Sequence, residues 1–316
     1  MNALHPELAR ARFLPSPPIG RSTVRPIQWL SGRMRPGPVP GDMRIEDRTV
    51  PVPAGSPAVS LRTYRPESLV SPSPALFWIH GGGFLIGSPV QDEAGSIEFA
   101  RRLGITVVAV HYRKAPQNPA PAAVEDAYAG LSWVFEHADD LLVDPERIAV
   151  GGASAGGGAA AALALLCHDR AELSPVFQLL VYPMLDDRTV LRTDMDTRNV
   201  RLWTPAANRY AWNAYLGRAP GSEGVSPYAA PARREDLAGL PPAWIGVGDL
   251  DLFHDEDLSY AERLRAAGVP CAVTVVPGAF HGFDAVFPKT DVVRGFREEQ
   301  ARALRGAFGT EGLPPG

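Results

Sequence analysis

Short apolar runs that end on glycine limit most strongly how this chain can fold. Ala75-Leu-Phe-Trp-Ile79 runs into Gly81-Gly82-Gly83, and Arg147-Ile-Ala-Val150 runs into Gly151-Gly152. The segments 106–110, 176–182, 243–247 and 272–276 are further short apolar runs, not all ending on glycine, while 58–64 alternates like a half-buried strand. Runs without alternation predict strands covered on both faces. Helical patterns fall between them: 97–103, 122–135, 157–167, the stripe Leu258, Ala261 and Leu264 that Gly268 would end, and 292–308. Strand then helix, repeated this often, predicts a mostly parallel sheet with helices on both faces. Two stretches break the rhythm. Residues 14–57 are rich in Pro, Arg and Ser and predict irregular structure with a short helix or two. Residues 186–234 carry Trp203, Tyr210, Trp212 and Tyr215 at helix-like spacing and predict an insertion over the sheet edge.

Composition narrows the class. Of 316 residues, 45% are hydrophobic, which excludes a disordered chain. The balance of 31 basic against 35 acidic residues, net −4, argues against a nucleic-acid binder or a polybasic membrane clamp. Cys167 and Cys271 are too few for a disulfide framework and match no zinc spacing. The longest apolar stretch, 159–167, is far below the ~20 residues of a spanning helix, and no signal-like run opens the chain, so a cytoplasmic location is expected.

Gly152-Ala-Ser-Ala-Gly156 follows one predicted strand and opens a predicted helix. A serine nucleophile on a sharp turn sits in strained backbone, where side chains two positions either side would clash, hence the glycines Gly152 and Gly156. The helix start then offers free N–H groups to a developing oxyanion. His80-Gly-Gly-Gly-Phe84 follows another strand. Its glycines let the backbone come close to a ligand and aim N–H groups at it. No Gly-Lys-Ser/Thr follows, and the dinucleotide spacing fails, so an oxyanion loop is the better reading. A serine nucleophile needs a base and an orienting acid. His281, in the loop after the last strand-like run, suits the base. The segment 248–256 offers Asp249, Asp251 and Asp255, the last better explained as a helix N-cap.

These segments, with His111-Tyr-Arg-Lys-Ala-Pro116, Asp251 with Asp255-Glu256, and Phe280-His-Gly-Phe283, make the chain resemble the hormone-sensitive-lipase-like esterases (bacterial family IV) of the α/β-hydrolase fold. The likeness spans 80 to 283 in the expected order. It implies Asp251 as the acid rather than Asp249. It also implies an α-helical cap built from residues 1–45 and 186–234, over a catalytic core of 46–185 and 235–316. Ala153, Gln117 and Leu252 depart from the family's usual Asp, Glu and Pro, and the first two predict weaker hydrogen bonding behind the oxyanion loop.

The expected activity is hydrolysis of short to medium acyl esters. Ser154 attacks, His281 moves the proton, and Asp251 fixes the imidazole. Gly82, Gly83 and Ala155 hold the oxyanion, with His80, Gly81, Gly152 and Gly156 in support. Phe84, Trp203 and Trp212 are expected at the substrate pocket. This chemistry needs no cofactor and no metal. The expected partner is a small-molecule ester, with no nucleic acid and no membrane, and a homodimer is allowed. Two other functions stay open: a non-catalytic small-molecule receptor on the same fold, and a hydrolase of an amide, lactone or other activated carbonyl.

Overall fold

The computed structural model describes residues 3–16, 18–51 and 58–310. Its frame is one eight-stranded sheet in the order β1-β2-β4-β3-β5-β6-β7-β8. The strands are β1 (Met43–Val50), β2 (Val59–Pro66), β3 (Ser73–Ile79), β4 (Thr106–His111), β5 (Val143–Ala153), β6 (Phe177–Val181), β7 (Ala243–Gly248) and β8 (Cys271–Val276). β2 runs antiparallel to both β1 and β4, and every other pairing is parallel. The helices are α1 (Val24–Ser31), α2 (Glu93–Leu103), α3 (Ala122–Glu136), α4 (Ala138–Leu141), α5 (Ala155–Arg170), α6 (Pro205–Leu216), α7 (His254–Ala266), α8 (Phe283–Val286) and α9 (Asp291–Ala307).

Burial explains why the central strands read as unbroken apolar runs. Every residue of β3, β6 and β7 is buried. Ala75, Phe77 and Ile79 of β3 share the core face with α3 and α5, while Leu76 and Trp78 share the opposite one with α2 and α9. Strands covered on both faces need apolar residues at every position. β1 is different. It was expected to be irregular, yet residues 43–50 form a full edge strand. Half of its side chains are exposed and only its two end residues are buried, so it carries no apolar run to read. An antiparallel ladder to β2 along its whole length holds it, with Met43 and Val50 buried at its ends and Asp47 paired with Arg62 of β2. Residues 17 and 52–57 of that expected irregular stretch lie outside the described residues.

Two smaller expectations also shift. Asp255 does not cap α7; Phe253 occupies the cap, and Asp255 lies in the first turn, paired with Arg192. α5 starts at Ala155, directly after Ser154, rather than at Gly157. No helix among the described residues is long and apolar enough to cross a membrane.

Candidate active site

Parallel strands put their C-terminal ends along one edge of the sheet, where loops can bring side chains together. β5 delivers Ser154 there. Its backbone takes φ 58° and ψ −122°, a conformation L-residues rarely adopt, between the end of the strand and the start of α5. The flanking glycines make that turn sterically feasible. A Cβ at Gly152 would lie 2.4 Å from the Gly156 carbonyl oxygen, and one at Gly156 would lie 2.0 Å from that of Ile79. β3 pairs Ile79 with Gly152 in register, which sets the loop 80–84 beside the serine.

The strand ends also supply two further groups. Nε2 of His281 lies 2.9 Å from Oγ of Ser154. Nδ1 of His281 lies 2.8 Å from Oδ2 of Asp251, whose other oxygen accepts the Phe253 N–H at 2.9 Å. All three side chains are largely buried, each residue 7% exposed. Asp249 is committed elsewhere, accepting the Gly278 N–H at 2.6 Å. Three rings surround the imidazole: Tyr182 at 4.8 Å, Phe253 at 5.1 Å and Trp203 at 6.4 Å between centroids.

The glycine loop is shaped by close approach. Gly82 (φ 119°) and Gly83 (φ 61°) both need the left-handed region. A Cβ on Gly83 would overlap the six-membered ring of Trp203 at 2.1 Å, so that indole lies directly on the loop. Ala155 opens α5, putting its N–H at the helix start beside the same space. His80 is fully buried; its Nδ1–H donates to the Gly81 carbonyl at 2.7 Å, and its ring stacks on Tyr112 at 4.3 Å. Burial holds this imidazole neutral by pulling its pKa well below the usual value.

No motif marks the residues behind the loop. Gln91 donates to the Gly81 carbonyl at 3.3 Å, and Trp78 donates to Asp92 at 2.9 Å. Burial pushes the Asp92 carboxyl up to about 6. Alanine at 153 faces this same recess, whose wall includes Asp92, Tyr182 and Asp284. Gln117 exchanges amide hydrogen bonds with Gln28 of α1, which also donates to the Leu85 and Ala115 carbonyls at 2.8 Å. The two departures from the family pattern thus face different neighbours: 153 a recess, 117 the N-terminal helix.

The remaining pocket candidates form a ring cluster. Phe84 stacks on Tyr215 at 3.7 Å, and Trp212 lies within 6.4 Å of both. Phe84 and Trp212 are 1% and 0% exposed, so other rings cover them. Tyr210 is only half-buried and lines a cavity of about 1000 Å³ with Val190, Asn208 and Leu252.

A strained serine turn and a three-glycine loop at the crest of a mostly parallel sheet define a hydrolase of the α/β class. A family model described as alpha/beta hydrolase fold matches residues 76–285, and the chain belongs to that family. Its relatives include the carboxylic ester hydrolase LipN of Mycobacterium tuberculosis, 38% identical over 77% of this chain and 65% of LipN. Esterase LipI of the same organism is 36% identical over 78% of this chain and 77% of its own. Among solved structures, a bacterial heroin esterase superposes with a TM-score of 0.89 at 36% identity, covering 97% of this chain and 98% of that one.

Proposed function

We propose that this chain hydrolyses carboxylic esters through a Ser154–His281–Asp251 relay. The reading rests on one observation above the rest: an unbroken line of contacts, 2.9 Å from Ser154 to His281 and 2.8 Å from His281 to Asp251. In this mechanism His281 takes the Ser154 proton as the hydroxyl attacks the acyl carbon. Asp251 keeps Nδ1 protonated and stabilises the imidazolium. N–H groups of Gly82, Gly83 and Ala155 hold the oxyanion. His281 then returns the proton to the leaving alcohol, and water releases the acid by the same route. The names of the relatives support the reaction class. The segment before β1, short of the 1–45 expected because Met43–Ile45 already belong to the sheet, and residues 186–234 serve as the cap. Trp203, lying on Gly83, bounds the room for the acyl group and favours short to medium chains.

Two measurements test this. Ser154→Ala removes labelling by an organophosphonate and lowers ester turnover by several orders of magnitude. Normal labelling of that variant would move the nucleophile elsewhere. Asp251→Asn lowers kcat by orders of magnitude because the imidazole is held in the wrong tautomer. Asp249→Asn costs far less; a reversal of the two effects would reassign the acid.

A further inference from the structure

Charge is balanced over the whole chain but not along it. From Leu8 to Gly41 the sequence holds six arginines and no aspartate or glutamate. These are Arg10, Arg12, Arg21, Arg25, Arg33 and Arg35. All six are exposed, and none forms an ion pair among the described residues. The same stretch carries five of the eight large apolar side chains that the described residues leave exposed: Phe13, Trp29, Leu30, Met34 and Val39. Phe13 is 74% and Trp29 61% exposed.

α1 organises the two kinds of side chain. Val24 is buried, and Gln28, one turn on, bonds to the body of the protein. Arg25, Trp29 and Arg33, spaced by four, point outward with Leu30 alongside. The Arg33 guanidinium lies 3.7 Å over the Trp29 ring, and the Arg12 guanidinium 4.6 Å over Phe13. The face also lies near the glycine loop and one wall of a cavity. Gln28 grips the Leu85 carbonyl just beyond the glycine loop, and Arg21 lines the cavity of about 1000 Å³ with Pro116, Asn208 and Leu252.

We propose that this N-terminal face docks peripherally on an anionic lipid surface. Guanidiniums reach headgroup phosphates while indole, phenyl and leucyl groups enter the acyl boundary, the pattern of interfacial helices. Charge complementarity selects an acidic partner. The exposed rings and Leu30 select one with an apolar layer beneath its charge, which favours lipid over an acidic protein. Docking would bring the cavity mouth to esters dissolved in that surface; this consequence alone rests on the esterase reading, since binding needs no Ser154 chemistry.

The test is sedimentation of the full chain with vesicles of phosphatidylglycerol and phosphatidylcholine in equal parts, beside vesicles of phosphatidylcholine alone. The protein binds the anionic vesicles, less tightly as salt rises, and leaves the neutral ones. Arg25→Gln with Arg33→Gln weakens binding by about fivefold per arginine. Trp29→Ala with Leu30→Ala also weakens it. Both double variants hydrolyse a soluble short ester at the unaltered rate, which certifies the fold, and Ser154→Ala binds like the parent whatever its activity. Failure to bind anionic vesicles, tight binding retained by either double variant, or binding to polyglutamate in place of vesicles overturns the proposal.

Discussion

Asp257 lies fully inside the protein, and neither of its carboxyl oxygens has a hydrogen-bond partner among the described residues. Burial, reinforced by the Glu256 and Asp251 charges, raises its pKa well above the ordinary carboxylate value. The folded state therefore binds a proton that the unfolded chain releases, and stability falls as pH rises past the ordinary carboxylate range. Asp257→Ala raises Tm by a few degrees at about pH 8, and the gain shrinks toward about pH 4. Thermal scans at the two pH values check this; an equal gain at both would assign the effect to packing. Glu256 on the preceding position is buried too, but Thr189 and the Leu185 and Asp186 N–H groups bind it. The sequence distinguishes such residues poorly. Ser154 and His281 were legible because their chemistry demands glycine neighbours and a loop after a strand. Gln91 and Asp92 were not, because their roles depend on partners brought close only by folding, and Asp257 was not, because only the fold buries it.

At the scale of elements, α6 and the segment leading into it divide the aromatic residues by task. Trp203 touches the glycine loop and faces His281, whereas Trp212 is enclosed by Phe84 and Tyr215. Trp203→Ala therefore shifts the ratio of kcat/KM between short and long acyl chains. Trp212→Ala lowers stability by about 3–5 kcal/mol and leaves that ratio near its parent value. A panel of p-nitrophenyl esters together with thermal unfolding separates the two. Helix-like spacing in the sequence suggested that several of the rings share one helical face; Tyr210, Trp212 and Tyr215 do lie on α6, but Trp203 precedes it, and spacing alone could not say which ring faces the site. The strands divide similarly. β3, β6 and β7 stand out as apolar runs because both their faces are covered, while β1 escapes notice because an edge strand is attached mainly by its backbone ladder and buries only Met43 and Val50.

Across the whole molecule, cohesion is uneven. β3 and β5 lie at the centre of the sheet, with their buried residues packed from both faces. Residues 191–199 are mostly exposed and sit in no strand or α-helix. Native-state hydrogen exchange gives the β3 and β5 amides protection at the global unfolding limit, and amides of 191–199 exchange orders of magnitude faster. Uniform protection would mean that the insertion opens only with the core. The junction between α1 and the body has a further consequence. Gln28 and Gln117 clasp each other through uncharged amides. Neither group gains or loses a proton at any pH an enzyme meets, and neither is shielded by dissolved ions as an ion pair would be. This seam is indifferent to acidity and ionic strength alike, so it should hold with the same grip in dilute and concentrated buffers.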